Sequence, residues 1–222
     1  MHSFRNRTIA SAAALLACTA GAHAGVAEVT GGQTSVLLDT GTLSSAASLD
    51  LSGVSPDVNA PGDLGPDSVA FGINPRDAVS LPTTFTYDPG DFLGSFSGTI
   101  EHTGSVLFNA DSVEVGNFTI GFDGARVGGD RSGFFVESTT GVSAILFDVA
   151  NPSTLDATAS SLTIEADLLV SSEFAGFLSD NGLAQSDLTG ADVGDALVQA
   201  VPAPGALGIL AAGGILGVRR RR

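Results

Sequence analysis

The sequence predicts an all-β, antiparallel fold in a single domain, on three observations. Short segments of alternating apolar and polar residues recur along the chain. Glycine is abundant, 29 of 222 residues, and punctuates those segments. Persuasive amphipathic helix is nearly absent. A period of two with dense turn residues reads as half-buried strands, and many such strands without helices imply an antiparallel sandwich or jelly roll.

The clearest strand is Ser161 to Val170, where Leu162, Ile164, Ala166, Leu168 and Val170 alternate with Ser161, Thr163, Glu165 and Asp167. Val113 to Phe122 is a long strand whose apolar parity switches around Gly116-Asn117, the mark of a bulge. Phe134–Glu137 and Val142–Val149 are further strands, the second apolar on both faces. Phe92, Phe96 and Ile100 share one parity, predicting a strand that turns at His102-Thr103-Gly104-Ser105 into Val106–Phe108 as a hairpin. Between Ala27 and Pro82 the turn residues are so frequent that short strands at Ser35–Leu38, Ser48–Leu51 and Ser68–Phe71 are expected between long loops. One short helix is predicted near 172–178, capped by Ser172 and stopped at Asn181-Gly182. A last strand is expected over Asp195 to Gln199, and no fixed-period repeat is present.

The two ends read as addresses. Arg5 and Arg7 precede an apolar run from Ile9 to Ala17, and Ala22-His23-Ala24 precedes Gly25. That layout predicts a signal peptide over 1–24, cleaved between Ala24 and Gly25 and engaged by the Sec export machinery. Leu15-Leu16-Ala17-Cys18 offers a second outcome, lipidation of Cys18 as in a bacterial lipoprotein. At the other end, Val201-Pro202-Ala203-Pro204 is followed by an apolar run from Ala206 to Val218 and by Arg219, Arg220, Arg221 and Arg222. The apolar run is shorter than the ~17–25 residues of a firm membrane span. It is expected to form a C-terminal transmembrane sorting helix that enters the bilayer with its arginines on the cytoplasmic side.

This tripartite tail, residues 201–222, resembles the PEP-CTERM sorting signal of exported bacterial proteins, with Ala203 where the family usually has Glu. The resemblance covers about a tenth of the chain. It implies an exosortase-type processing enzyme as partner, and a transient inner-membrane intermediate followed by periplasm, cell surface or extracellular matrix. It also implies a setting of extracellular polysaccharide, and it implies no activity.

Between the ends lies the body, 25–200. It holds all 24 acidic residues but only Arg76, Arg126 and Arg131, so three positive charges against 24 negative leave −21, where the whole chain has −15. Such a surface repels nucleic acid, which is excluded as a partner. With Cys18, the lone cysteine, and two of three histidines in the leader, the body carries no thiol and only His102. The usual His/Cys zinc sites lack ligands.

No catalytic constellation emerges. Val36-Leu37-Leu38-Asp39-Thr40-Gly41 resembles the active-site loop of aspartic proteases, but Thr42 follows and a second such loop is missing; a strand ending in an Asp-x-Gly turn explains it. His102 reads as an exposed hairpin residue, and Gly94-Ser95-Phe96-Ser97-Gly98 lacks the nucleophile-elbow pattern. Asp57 to Asp63 begins like a calcium loop but has Pro61 at a ligand position and Ser68 where Glu belongs. Asp187, Asp192 and Asp195 form the other candidate for Ca2+, a hard ion that suits carboxylate oxygens. Thirteen phenylalanines with no Trp and one Tyr fit a core better than a sugar platform. The expectation is an exported, non-enzymatic surface or matrix protein associated with polysaccharide. The alternatives are a calcium-stabilised carbohydrate-binding module and a carboxylate-based hydrolase.

Overall fold

The computed structural model describes residues 25–204. The strands are β1 (Ala27–Leu38), β2 (Leu51–Val54), β3 (Val69–Gly72), β4 (Thr86–Tyr87), β5 (Ile100–Glu101), β6 (Ser105–Phe108), β7 (Val113–Phe122), β8 (Arg131–Gly141), β9 (Ala144–Ala150), β10 (Thr154–Ala157), β11 (Leu162–Val170) and β12 (Asp192–Pro204). The helices are α1 (Thr40–Ala47), α2 (Phe92–Ser95) and α3 (Ser172–Asp180).

All strand pairs are antiparallel, as expected, but the layering differs from a sandwich or jelly roll. The strands join in one curled sheet of order β2-β6-β7-β8-β9-β11-β12-β1-β3. Its margins meet through the bridges Ile73↔His102 and Thr86↔Ser97, giving a half-barrel drawn nearly shut. Alternation specifies one apolar face per strand, which two stacked sheets or one curled sheet satisfy equally. Bulges decide between them, because each adds a bend. They fall between Val29 and Gly31, between Leu51 and Gly53, between Asp167 and Leu169, and twice in β8. Asn117, at φ 49°, supplies the parity switch expected in β7, and there its neighbour changes from β6 to β5.

The concave face buries the apolar set that the periodicity selects: Leu162, Ala166 and Leu168 of β11, Val115 and Phe118 of β7, and Val198 of β12. At the pole where β1 and β11 finish, α1 and α3 cover the core with Leu43 and Phe174. α3 starts at Ser172 and ends two residues beyond the predicted 172–178, with Ser171 rather than Ser172 as its cap, accepting the Phe174 N–H at 3.0 Å. At the opposite pole β1 begins, β12 ends, and Tyr87 is fully buried with its hydroxyl donating to the Thr158 and Ser161 carbonyls. Burial, then the Asp156 charge, pushes its pKa up to about 12.

Four other expectations are corrected. The strand and hairpin predicted from Phe92 are replaced by a helical turn, α2, followed by β5 and β6, both paired to β7. Phe92, Phe96 and Ile100 are four apart, a spacing that serves either period, and Asp91 caps the turn by accepting the Gly94 N–H. Near the start, β1 is one long strand paired on both sides and not a short piece. Its Gly31-Gly32 pair allows a bulge and a close approach to β12 where the sequence suggests a break. Helix α1 forms within a Thr/Gly/Ser-rich stretch of low propensity because Asp39 caps it. Finally, β12 runs past Gln199 through Val201-Pro202-Ala203-Pro204. Beyond Ala200 it pairs only with β1, so Pro202 sits on what is locally an edge, where a missing N–H costs nothing.

Candidate functional site

A surface opening lies at the pole where β12 ends. A groove of about 540 Å3 runs between α2, the end of β7, the start of β8 and strand β10. Phe134 and Ile164 form its floor and also line the interior, so they wall the groove off from the core. Phe96 stands over them, its ring 5.0 Å from Phe134 and 4.9 Å edge-on from Phe122. Along its rim Leu93 is 74% exposed, Phe122 42% and Leu155 41%. Val127, 55% exposed, packs with Phe122 around Gly133 beside it. Half of the eight exposed large apolar residues among the described residues therefore gather at one place, where scattered single residues would mean nothing. Ser132 and Asn151 are the polar lining residues, and Ser132 already donates to the Val149 carbonyl. The arrangement can hold an apolar segment by burial, and the residues lining it are uncharged.

The interior itself contains about 90 Å3 of free space, with Thr34 and His102 as the polar residues of its wall. His102 is buried, not exposed at a hairpin turn as the sequence suggests. Its Nε2 lies 2.8 Å from Thr34 Oγ1 and its Nδ1 3.1 Å from the Phe118 carbonyl oxygen. These partners fit a neutral ring, with Nδ1–H donating to Phe118 and Nε2 accepting from Thr34. Burial holds its pKa down at about 4, against a smaller opposing effect of the Phe118 carbonyl. The unfolded chain thus binds the proton more readily than the native one between roughly pH 4 and 6.5. Stability should be full above pH 6.5 and fall as the pH drops toward 4, by at most about 3 kcal/mol. Urea unfolding from pH 7.5 to 5, above the range where most carboxylates titrate, reads this directly. His102→Gln should flatten that segment of the profile.

The other sequence candidates fall in separate places. Asp39 is fully exposed and spends both oxygens on Thr42, its Oδ1 accepting the backbone N–H at 2.9 Å and Oδ2 the hydroxyl at 2.6 Å. Those bonds lower its pKa and make Asp39 the N-cap of α1, in place of the Asp-x-Gly turn expected from the sequence. Asp57 accepts from Ser55, and Asp63 accepts from Gln33 Nε2. Asp187, Asp192 and Asp195 do not come together as a site; no group of three or more potential metal-ligating side chains occurs among the described residues. Asp187 accepts twice from Thr189, Asp192 accepts from the Gly194 N–H, and Asp195 faces Asp167 across β11–β12. Spacing in sequence brought these three to notice; Asp187 lies in the loop before β12, while Asp192 and Asp195 share that strand. The pKa of Asp195 is raised by burial first and then by the Asp167, Asp192 and Glu165 charges.

Of the address residues, Gly25 is exposed and Val201 to Pro204 lie in β12, with Pro202 buried. Ala22, Ala24, Cys18, the apolar run 206–218 and Arg219 to Arg222 lie outside the described residues. Among the described residues no helix is long and apolar enough to cross a membrane.

Sequence reasoning missed two features. One is the groove, whose aromatic residues look like core by composition. The other is an ion-pair network. Arg126 donates from Nε to Asp148 at 2.6 Å and from both terminal nitrogens to Glu173 at 2.7 and 2.9 Å, while Arg131 reaches Asp148 at 3.4 Å. Arg76 pairs with Glu28 at 3.4 Å. All three arginines of the body are thereby engaged, which leaves the acidic surplus uncompensated. The scarcity of arginine was the available signal.

No protein-family model and no curated protein sequence matches this chain. Among solved structures, the C-terminal domain of HtaA from Corynebacterium glutamicum is similar at 16% identity, over 79% of this chain and 99% of that one, with a TM-score of 0.49. A likeness of that size carries no argument about function.

Proposed function

We propose that this is an exported bacterial protein of the PEP-CTERM type. Its acidic β body is carried through the inner membrane, held there by the 206–218 segment and then passed outward as a non-enzymatic, polysaccharide-associated surface or matrix component. The observation that supports this reading is the shared exit of the two ends. Ala27 pairs with Pro204, so the leader-like and tail-like segments leave the body at one pole. A body attached there presents its opposite, helix-covered pole and its acidic outer face to the surroundings. The uncompensated negative charge keeps such a domain soluble and away from anionic lipid. The carboxylates with lowered pKa are committed to Thr42, Thr189 and Arg126, which supports a structural role for them.

Expression in a bacterium that processes such tails tests the reading. The expected result is a mature N-terminus at Gly25, a membrane-bound precursor, and a released form lacking the tail. Deleting 205–222 should abolish the membrane-bound stage. Removing the processing enzyme should trap the precursor in the membrane. A protein that stays in the cytoplasm, or whose tail is retained regardless of the enzyme, overturns the reading. A lipidated Cys18 at the N-terminus would replace the cleavage assignment alone.

A further inference from the structure

We infer that the aromatic groove is a docking site for the chain's own apolar tail, residues 206–218, holding it against the body until a membrane accepts it. Position is the first argument. Pro204 lies opposite Ala27, and Ala27 lies opposite Tyr87, so the chain leaves the body two strand spacings, about 10 Å, from Tyr87. The Tyr87 ring is 5.4 Å from Phe92, which lines the groove. A run from Ala206 to Val218 reaches ~40 Å when extended, ample to enter the groove and follow it to Leu155.

Chemistry is the second argument. Seven of the groove's residues, among them Phe92, Leu93, Phe122 and Leu155, are phenylalanine, leucine or isoleucine, and the tail offers Leu207, Ile209, Leu210, Ile215 and Leu216 among small Ala and Gly. Packing these against each other removes apolar surface from water on both sides.

Charge is the third, and it chooses the tail over a lipid surface. Asp91, Asp123 and Asp156 directly adjoin the groove residues Phe92, Phe122 and Leu155 in sequence, and Asp156 is close enough to Tyr87 to raise its pKa. Arg219 to Arg222 follow the apolar run, so a tail lying in the groove brings four positive charges to an acidic surface that repels anionic lipid. Docking in the groove needs only the tail's composition and its point of exit, whereas its later transfer to a membrane rests on the proposed sorting route.

The chain from Gly25 to Arg222 has no cysteine, which permits a clean disulfide-trapping test. Leu155→Cys is paired in turn with Cys at Ala206, Leu210 and Ile215. Ser160→Cys serves as control, being exposed at the same pole beside the Tyr87 contact but outside the groove. Tethering alone gives both positions a high effective concentration, so the contrast between them is the readout. The expected result is an intrachain disulfide favouring Leu155→Cys over Ser160→Cys by at least about fivefold. Adding Leu93→Asp, at an exposed position and with the fold checked by circular dichroism, should abolish that preference. High salt should reduce it, since the arginine contribution is screened. Equal trapping at both positions, disulfides only between chains, or no trapping at all overturns the inference. So does a preference that survives Leu93→Asp. Vesicles of phosphatidylethanolamine and phosphatidylglycerol should compete for the tail. Binding of such vesicles by residues 25–204 alone, lost on Leu93→Asp, would make the groove a lipid site and also overturn it.

Discussion

Gly32→Ala is expected to destabilise the protein by at least about 3 kcal/mol and to leave little folded material at 37 °C. Gly32 sits in β1 at φ 125°, opposite Ala200, in the longest strand pairing of the sheet, β1 with β12. A Cβ there would run into the Gln199 carbonyl oxygen and come within 2.8 Å of Ala200 Cα. Both obstacles are backbone, so no side chain can rotate aside, and a residue with a Cβ at this φ is strained in any case. Relief requires β1 and β12 to separate where β11, β12, β1 and β3 share one hydrogen-bonded run. Thermal unfolding followed by circular dichroism, with Gly31→Ala as the partner variant, checks this. No atom lies within 4 Å of a Cβ on Gly31, and its φ is not in the left-handed region, so that variant should stay near wild type.

Arg126→Met is expected to cost about 3 kcal/mol, and by the usual scaling to lower Tm by roughly 6–12 °C. Its three donors tie the turn after β7 to Asp148 of β9 and to Glu173 in the first turn of α3. The Asp148 side chain is 2% exposed, so the substitution leaves a buried carboxylate with Arg131 alone, at 3.4 Å. Arg126 holds the Glu173 pKa down at about 2, chiefly through its hydrogen bonds. A carboxylate depressed in the native state contributes stability at pH values above its ordinary range, and that contribution is lost as the pH falls from about 4.5 toward 2. The acid limb of the stability profile should therefore be shallower in Arg126→Met and in Glu173→Gln. Methionine keeps an aliphatic stem but also removes the guanidinium carbon that lies 6.0 Å from the Phe135 ring centroid. A double-mutant cycle of Arg126→Met with Glu173→Gln separates the exposed pair from the buried one, which carries most of the loss.

The strands that show in the sequence are those whose alternation is uninterrupted. β11 is apparent from Leu162 to Val170 because every second residue is apolar and every inner one is buried or half-buried. The bend in β7 is apparent because the parity of Val113 and Val115 cannot continue into Phe118 and Ile120. The long β1 is hidden, since Gly31-Gly32 is the residue pair a loop would use and only the nearness of β12 makes it a strand. α2 is hidden for another reason: Phe92, Phe96 and Ile100 fit two periods, and Asp91 settles the matter through one capping bond. For the groove, the phenylalanines are visible but their exposure is not. Phe122 and Phe134 stand on adjacent strands, and the end of β7 lets one ring reach solvent while the other is covered.

By itself the sequence determined the antiparallel β class, the acidic and thiol-free body, and the identity of the two end segments as apolar runs flanked by arginine. Those are properties of composition and short-range order, which a chain carries whether folded or not. Only the tertiary structure decided that the strands close into one curled sheet, that His102 is buried and neutral, and that Asp187 stands apart from Asp195. It alone placed four exposed apolar side chains around a groove beside the point where the tail departs. Each of these depends on residues distant in the chain meeting through bulges and register, and nothing local in the sequence encodes that meeting.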